Sequence, residues 1–400
     1  MINRLPLFAV TGFVATMVAL CLALSESGNW VSSDATADWL AATAARLGLD
    51  PYGDLRAISE VLHVPYDNPA QSHAGDAAWT HPRTPGALLL LQPLTLMTPA
   101  QLYVALGVVS VLGLAFVAWR RAPRITGHHW AMCLTGGLAV LLSRPMLHNL
   151  TFGSMTMIVA CLVWAFWETT RNEDSWIAGI PLGVAISLRV FPALLIFAAV
   201  FGRRPKAAIS AVGSVVATTT LGMLLFGISV PEMISGIGLA GRTWMDLPTN
   251  GSMIPRVGSI SGLDPALVSG VLIAISIATL GVVSRLEGAW DLIVSWALVL
   301  MLLVSPLSWE AYDLILLIPL SLALVRSDPP IPRFVAYVWL AVWVVIFSVM
   351  SSLGLAVHLS SYQPALSVRI AILTLLVYKT VRLFRHRPIR VTPTRVESGA

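Results

Sequence analysis

Long apolar runs separated by short polar segments dominate the pattern of this 400-residue chain. Several runs reach the roughly 20 residues that a helix needs to cross about 30 Å of hydrocarbon. We therefore predict an all-α polytopic membrane protein, in which helices satisfy the backbone polar groups internally. The pattern predicts about 12 transmembrane segments, at residues 5–24, 99–118, 129–145, 152–170, 177–188, 190–201, 207–226, 266–284, 289–304, 311–325, 334–352 and 365–380.

Composition agrees with this class, because 56% of the residues are hydrophobic and only 11% are charged. The chain has no room for a large soluble module, so we predict one membrane domain over residues 1–383 and a basic cytoplasmic tail over 384–400. The first apolar run is longer than the 7–15 residues typical of a signal peptide. A retained anchor is the favoured interpretation, and a cleaved signal peptide is the alternative.

The basic residues indicate the orientation of the chain. With the N-terminus inside, 17 of the 25 Lys and Arg residues fall on the cytoplasmic side and six fall outside. The other two, Arg189 and Arg369, lie within apolar sequence. This excess follows the positive-inside rule, and it predicts a multi-pass protein of the cell membrane with both termini in the cytoplasm.

One long apolar stretch, residues 177–201, does not fit a single crossing. A single crossing would place Arg203, Arg204 and Lys206 outside. A hairpin of two short helices with its bend at Arg189 and Pro192 would keep these three cations inside. A proline disfavours α conformation in the residue before it, which supports a break at this point. We therefore predict the hairpin.

The first outer loop, about residues 25–98, is the longest and carries eight of the 20 acidic residues. Asp34 begins its first helical stretch. Two groups of apolar residues recur at helical spacing, and we predict two interfacial helices whose apolar faces contact lipid. The groups are Ala37, Leu40, Ala41, Ala44 and Leu47, and then Leu55, Ile58, Val61 and Leu62. A carboxylate at the outer mouth of a membrane segment suits a base that acts on a lipid-held substrate.

Several short motifs follow one another in an order that resembles a known family. These are Asp34, Trp39, Ala41 and Ala42, then Gly48, Asp50, Pro51 and Tyr52, then His81, Pro82 and Pro85, and later Arg189 in L-R-V-F-P, Asn250 in N-G-S and Trp309 in S-P-L-S-W. Over about residues 5–325 the chain resembles glycosyltransferase family 87, a group of GT-C-type transferases that use polyprenyl-phosphate sugars. The group includes actinobacterial mannosyl- and arabinofuranosyltransferases.

The resemblance implies a GT-C-type fold and a membrane glycosyltransferase without a cofactor. It implies transfer of a sugar, mannose in the first place, from a polyprenyl-phosphate donor to a hydroxyl of a lipid-linked glycan or glycolipid. The active site would lie on the extracytoplasmic face, among membrane lipids. Arabinofuranose is the alternative sugar, and no nucleic acid is expected as a partner.

The chain departs from the family pattern at three places. Arg189 stands where the family often has Lys, which keeps the charge but changes the geometry. Residues 153–156 read G-S-M-T where the family often has G-Q-x-N. The family usually has a His after S-P-x-S-W-x, whereas residues 310–313 here read E-A-Y-D. Without that imidazole, Tyr312 becomes the expected neutral donor at this turn.

Transfer from a sugar phosphate to a hydroxyl needs a base for the acceptor proton and cations for the departing phosphate. Inversion by direct displacement needs only one carboxylate, because phosphate leaves without a general acid. Asp34 is the predicted base, and Asp38, one helical turn later on the same face, is the fallback. Arg189, Arg256, His81 and Arg83 are predicted to bind the donor phosphate, and Asn250, Trp309, Tyr312 and Glu310 the sugar or acceptor.

Most of these residues have a structural alternative. Asp34 could cap the helix that follows it, Arg189 could be salt-bridged, and Asn250 could cap a loop. An ionisable residue deep in an apolar stretch is nevertheless a functional-site hypothesis by default. Trp309 could anchor the chain at the membrane interface, and His81 could hold the turn before Pro82.

A secondary transporter and a flippase-like scaffold are the competing classes of protein. Transporters usually carry paired halves with matching interrupted helices, but neither D-P-Y nor L-R-V-F-P recurs in the C-terminal half. A scaffold would not need Asp34. The sequence has no Gly-rich phosphate loop and no metal-site spacing of His, Asp and Glu. The acidic first loop therefore favours the enzyme.

Overall fold

The structure is a computed structural model that describes residues 22, 25–67, 83–121, 144–245, 250–286, 290–316 and 364–385. These residues form helices and no β-strand. The α-helices are α1 (Asp34–Arg46), α2 (Leu55–Val61), α3 (Pro85–Leu91), α4 (Pro99–Arg121), α5 (Arg144–Thr151), α6 (Thr156–Asn172), α7 (Trp176–Leu188), α8 (Leu194–Phe201), α9 (Pro205–Phe226), α10 (Val230–Met245), α11 (Ile254–Ser261), α12 (Pro265–Val283), α13 (Trp290–Val304) and α14 (Pro364–Arg385). Short 3₁₀ helices span Asn29–Ser32, Gln92–Leu96, Phe191–Ala193 and Glu310–Leu316.

The prediction of an all-α membrane protein is confirmed for the described residues. Three helices there are long and apolar enough to cross a membrane, within Pro99–Phe116, Pro205–Phe226 and Pro265–Val283. Shorter apolar helices lie at Pro85–Leu96, Trp176–Leu188, Phe191–Phe201, Val230–Leu239 and Trp290–Val304. The total of twelve segments stays a prediction, since 334–352 and most of 5–24 and 129–145 lie outside the described residues.

The helices of the first outer loop form as predicted, but their surroundings differ from the prediction. Leu40, Ala41 and Ala44 of α1 are fully buried, and Leu55 and Ile58 of α2 are nearly so. They pack against each other and against α3 and the chain after α9. The expectation that these apolar faces contact lipid is therefore wrong for α1 and for the inner face of α2. Helical spacing identifies an apolar face, but it does not tell a lipid contact from a protein contact.

Helix α9 is joined to its neighbours through small residues. Gly179 and Gly183 of α7 lie so close to the backbone of α9 that a Cβ atom on either glycine would overlap it. Further along α9, Gly222 meets Pro85 of α3 in the same way, and Gly86 of α3 lies against Thr218. Small residues let helix backbones approach closely in membranes. The result is a rigid group of α3, α7 and α9.

The predicted hairpin is confirmed by contacts between its two ends. Helix α7 ends before Arg189, whose backbone is extended with φ −147° and ψ 118°, and the chain turns back through Phe191–Ala193 into α8. Beyond α8, the backbone amides of Lys206 and Ala207 donate to the carboxylate of Asp174, which precedes α7, at 3.0 and 3.1 Å. The two short helices therefore start and finish at the same end of the bundle.

Helix α13 forms the centre of the largest core, since all its residues from Trp290 to Val304 except Asp291 are buried. It contacts α8, α12 and α14. The 3₁₀ helix Glu310–Leu316 continues from it into the space between α5 and α6. This packing brings a residue late in the chain, Tyr312, next to the hairpin bend.

Candidate active site

Asp34 is the first residue of α1, and Ser33 is the residue that caps this helix. The side chain of Ser33 accepts a hydrogen bond from the backbone amide of Thr36 at 3.1 Å. The alternative that Asp34 is itself the cap is therefore excluded. Its backbone amide donates to the carbonyl of Phe152 at 2.8 Å, and its side chain is 41% exposed. The carboxylate is thus held by its backbone and still accessible.

Arg189 at the hairpin bend meets Asp34 although the two are 155 residues apart in the sequence. Its Nη2 atom lies 3.1 Å from Oδ2 of Asp34 and 3.5 Å from the hydroxyl of Ser154. Its Nη1 atom donates to the hydroxyl of Tyr312 at 3.1 Å. The side chain of Arg189 is only 10% exposed. The extended backbone at the break between α7 and α8 lets this side chain reach across the bundle.

Tyr312 occupies the turn where the family usually has a histidine. Its ring stacks on that of Phe191 with centroids 4.5 Å apart and an angle of 17° between the planes. The hydroxyl accepts the hydrogen bond from Arg189, so its own proton is available to donate. Because the residue is buried, the hydroxyl has a defined position beside the guanidinium group.

Asp38 and Arg83 form a second acid–base pair next to the first. Nε of Arg83 donates to Oδ1 of Asp38, and the side chains are 3% and 0% exposed. The charge of Asp38 acts on Arg189, and the charge of Arg83 acts on Tyr312. The five side chains therefore form one electrostatic cluster. A hydroxyl acceptor can reach Asp34 in it, whereas the carboxylate of Asp38 is enclosed.

Arg83 and Arg189 are brought together by a polar junction between α3 and α7. The hydroxyl of Thr84 donates to the carbonyl of Ser187 at 2.7 Å and also caps α3. The hydroxyl of Ser187 in turn lies 2.8 Å from that of Thr218 on α9. Since Arg83 precedes Thr84 and Arg189 follows Ser187 by two residues, this junction sets the separation of the two cations.

Each of these two arginines has a buried N–H group to spare. Among the described residues, neither Nε of Arg189 nor Nη2 of Arg83 makes a hydrogen bond. A buried donor without a partner costs about 1–3 kcal/mol, so few such groups are expected in a folded protein. Two such donors beside an accessible carboxylate can together donate hydrogen bonds to the oxygens of a phosphate group.

Asn250 was predicted to bind the sugar or acceptor, but its side chain is bound to the backbone around it. Asn250 is 1% exposed, and its side chain makes four hydrogen bonds to the backbone, with Met245, Ser252, Pro306 and Ser308. This arrangement uses both donors and both acceptor positions of the amide, and it supports the loop-capping alternative.

Arg256 is half-buried on α11, and burial lowers its pKa. No hydrogen bond or ion pair among the described residues joins it to Asp34 or Arg189.

Trp309 is half-buried against the main core and precedes Tyr312 by three residues. Glu310 begins the 3₁₀ helix that contains Tyr312. His81 lies outside the described residues. In the described part of the chain, no three His, Cys, Asp or Glu side chains converge as a metal site would require.

The D-P-Y motif has a structural role. Oδ1 of Asp50 accepts the backbone amide of Tyr52 at 2.9 Å, as expected for an aspartate in such a turn. The ring of Tyr52 packs directly on Gly236 of α10, where a Cβ atom would overlap it. Burial, followed by the negative charge of Asp50, raises the pKa of the Tyr52 hydroxyl. The motif thus joins the turn after α1 to α10.

Sequence reasoning missed the roles of Ser154, Thr84 and Ser187. Ser154 lies in the G-S-M-T segment, which was noted only as a departure from the family pattern. Gly153 before it adopts a positive φ of 56° and lies against the ring of Tyr103. A glycine followed by a polar residue between two apolar runs was the available signal. Thr84 and Ser187 gave no signal, because single hydroxyl residues occur throughout helices.

Comparison with known proteins identifies the family of this chain. The profile of glycosyltransferase family 87 matches residues 79–306. That range includes Arg83 and Arg189, but it begins after Asp34 and Asp38 and ends before Tyr312. No curated protein and no solved structure gives a significant match. Because the family profile covers more than half of the sequence, the chain belongs to glycosyltransferase family 87.

Proposed function

We propose that this glycosyltransferase moves a sugar, most simply mannose, from a polyprenyl-phosphate donor to a hydroxyl of a lipid-linked glycan or glycolipid. The reaction takes place at the extracytoplasmic face and inverts the anomeric centre, and Asp34 is the general base. Family membership supports the transfer of a sugar. The observation that carries the rest is the pairing of an accessible carboxylate, Asp34, with the buried guanidinium group of Arg189.

In the proposed step the acceptor oxygen attacks the anomeric carbon from the face opposite the phosphate. The bond between that carbon and the phosphate oxygen breaks, and its electrons stay with the polyprenyl phosphate. Asp34 takes the hydroxyl proton. Arg189 and Arg83 stabilise the charge on the departing phosphate through their spare N–H groups. One base and two cations are sufficient, because a phosphate leaving group needs no proton.

The pairing of Asp34 with Arg189 gives the donor phosphate a second role. In the structure the guanidinium group neutralises the carboxylate that has to accept a proton. A phosphate bound to Arg189 competes with Asp34 for the same cation. The carboxylate is then free to turn towards the acceptor hydroxyl. The hydroxyl of Tyr312 can hold either Arg189 or a phosphate oxygen during this exchange.

The alternative sugar is arabinofuranose, because both donors carry the same lipid phosphate for the arginines to bind. Purified protein assayed with polyprenyl-phosphate mannose and polyprenyl-phosphate arabinofuranose side by side distinguishes them. We expect turnover with the mannose donor. Turnover with the arabinose donor alone would assign the protein to the pentosyltransferases.

The general base is tested by comparing Asp34→Asn with Asp38→Asn in detergent-purified protein. Asp34→Asn keeps the size of the side chain, and the residue is 41% exposed. We therefore expect the thermal stability to stay near that of the wild type and sugar transfer to fall by about 10²–10⁴-fold. Asp38→Asn leaves Arg83 buried without its counter-charge. We expect this variant to lose about 3–5 kcal/mol of folding free energy.

Thermal unfolding and transfer per folded molecule are measured on both variants. Near-normal transfer by folded Asp34→Asn would contradict the assignment of Asp34. If folded Asp38→Asn were inactive at the same time, the base would be Asp38. If both variants stayed active, the inverting mechanism with a carboxylate base would be wrong.

A further inference from the structure

A second arginine is fully buried outside the proposed site. Arg369 lies on α14 and is 0% exposed, in a part of the chain beyond the family match at residues 79–306. Its Nε atom donates to Oδ1 of Asp313 at 2.7 Å, and both side chains are enclosed. The step proposed above uses neither residue. Two buried ionised groups nevertheless need a reason, because taking them out of water costs several kcal/mol each.

Arg369 also donates hydrogen bonds to three backbone carbonyls. Its Nη1 atom donates to the carbonyls of Gly251 and Leu302 at 2.8 and 3.2 Å. Its Nη2 atom donates to the carbonyl of Trp309 at 3.1 Å. One side chain therefore ties together the loop before α11, the end of α13 and the turn after α13. A Cβ atom on Gly251 would lie 2.6 Å from Nη1, so a larger residue there would displace the guanidinium group.

Asn250 joins the same segments from the other side. Its Oδ1 atom accepts the backbone amide of Ser308 at 2.9 Å, and its Nδ2 atom donates to the carbonyl of Pro306 at 2.8 Å. The amide of Gly251 also donates to the carbonyl of Ser308 at 2.7 Å. The turn of residues 305–309 is thus held at several points, and Arg369 is the only charged group among these donors.

This network reaches the proposed site through the backbone around Tyr312. The carbonyl of Trp309 accepts both Nη2 of Arg369 and the amide of Tyr312, at 3.1 and 3.0 Å. Asp313, the ion-pair partner of Arg369, is the next residue after Tyr312. Arg369 is therefore bound to the chain on both sides of Tyr312, through the backbone of Trp309 and the side chain of Asp313. The hydroxyl of Tyr312 in turn accepts Nη1 of Arg189, which pairs with Asp34.

We propose that Arg369 and Asp313 are positioning residues, which fix the hydroxyl of Tyr312 and through it the guanidinium group of Arg189 beside Asp34. An apolar side chain would fill the same space without the cost of burying charge. A lysine would carry the charge but could not direct N–H groups to four oxygens in a planar fork. The geometric part of this proposal stands alone, and its effect on catalysis rests on the proposed function.

The first experiment is a double-mutant cycle of Arg369→Lys with Tyr312→Phe. Arg369→Lys keeps the charge, so the protein should fold. We expect transfer per folded molecule to fall about 10–100-fold, because small displacements of catalytic groups have effects of this order. In the Tyr312→Phe background the same change should alter transfer by less than about twofold, because the hydroxyl that it positions is gone. Equal losses in both backgrounds would overturn the proposal.

Arg56→Lys is the matched control. Because Arg56 is 46% exposed on α2, this substitution should leave transfer unchanged. A reading that does not depend on activity comes from 3-fluorotyrosine placed at position 312 and followed by ¹⁹F NMR in detergent. Arg189→Met removes the hydrogen bond to the hydroxyl of residue 312 directly. The ¹⁹F chemical-shift change in this variant gives the size of the effect to expect. Arg369→Lys should move or broaden the same signal, whereas Arg56→Lys should not.

An unchanged ¹⁹F signal in Arg369→Lys would overturn the positioning of Tyr312 whatever the enzyme does. A shifted signal without loss of transfer would keep the geometric link and contradict the role of Tyr312 in the proposed reaction. If Arg369→Lys does not fold, Asp313→Asn is measured instead, because it keeps the shape of the ion pair. Transfer per folded molecule and the ¹⁹F signal of position 312 are then measured in Asp313→Asn, and the same outcomes decide the proposal.

Discussion

At the scale of single residues, Asp34 and Asp38 show how one helical turn separates two environments. Both lie in α1, and helical spacing alone places them on one face. The carboxylate of Asp34 is 41% exposed, whereas that of Asp38 is fully enclosed against Arg83. Only an exposed carboxylate can meet an acceptor hydroxyl. The structure therefore supports Asp34 over Asp38 as the base, while Asp38 holds Arg83 in place.

Arg189 allows charge and shape to be tested separately. Arg189→Lys keeps the positive charge but loses the fork that reaches Asp34, Ser154 and Tyr312 together. We expect partial activity in this variant. Arg189→Met removes the charge, and we expect a strongly raised KM for the lipid-phosphate donor or no turnover. Steady-state kinetics with increasing donor concentration, on equal amounts of folded protein, provide the measurement.

A structural arginine would behave differently in this comparison. Loss of a purely structural residue lowers the yield of folded protein and leaves the kinetics per folded molecule unchanged. Donor kinetics of Arg189→Met that equal those of the wild type would remove Arg189 from the site. The exposed Arg56 serves as the control here too, since Arg56→Met should change neither the yield nor the KM.

At the scale of elements, helix α9 places the two site arginines through its contacts with α3 and α7. Its small residues allow both helices to approach closely, and Thr218 joins the bond between Thr84 and Ser187. Arg83 and Arg189 extend from the ends of these helices. The relative position of the two cations is therefore a property of helix packing.

Two glycines of α9 test this contact with the same chemical change. Gly222→Ala would place a methyl group against the carbonyl of Pro85, where the backbone has to move. We expect a loss of about 1–3 kcal/mol of stability from overpacking together with reduced transfer. Gly213→Ala meets no atom within 4 Å, and we expect a gain of up to about 1 kcal/mol from helix propensity.

The two variants are compared by thermal unfolding in detergent and by transfer per folded molecule. Each adds one methyl group to the same helix, so a difference between them reflects the contact with α3 rather than helix propensity. Equal stability and equal transfer in both variants would show that the close approach of α3 and α9 is not required.

At the scale of the whole molecule, the polar groups collect at two ends of the helix bundle. At the end where α6 finishes and α9 begins, Arg171 pairs with Asp291 and lies over the ring of Trp167. Arg204 lies over the ring of Trp290 at the same end. Asp34, Arg189 and Tyr312 lie at the end where α7 finishes. The positive-inside rule predicts that the cation-rich end faces the cytoplasm, and on this prediction the proposed site lies outside.

Cysteine labelling tests this orientation. Lys206 is exposed at the cation-rich end, whereas its neighbour Ala207 is fully buried and unsuitable for labelling. In a variant without Cys21, Cys133 and Cys161, we expect Lys206→Cys to resist a membrane-impermeant maleimide in intact cells. It should react after the cells are opened. Glu60→Cys, exposed on α2, should react in intact cells and serves as the external control.

The opposite result has a clear consequence. Efficient labelling of Lys206→Cys from outside would leave the hairpin intact, since its two ends are joined by Asp174. It would instead reverse the assignment of both ends of the bundle. The site would then face the cytoplasm, and an extracytoplasmic acceptor would be excluded.

The sequence by itself determined the class of protein, the family and the break at Arg189. Apolar runs of membrane length, a charge in the middle of one of them and a proline near it are local properties that need no partner to be recognised. Asp34 was also identified in this way, because its place after the first apolar run and before D-P-Y is a matter of order along the chain.

Only the tertiary structure decided which residues meet. Arg189 and Asp34 are 155 residues apart, and Arg369 and Asp313 are 56 apart, distances over which spacing carries no information. The apolar faces of α1 and α2 were assigned to lipid because lipid and protein interiors select the same residues. Asn250 kept two interpretations until its four backbone partners were known. Long-range packing sets these contacts, and hydrophobic periodicity reports only which side of a helix is apolar.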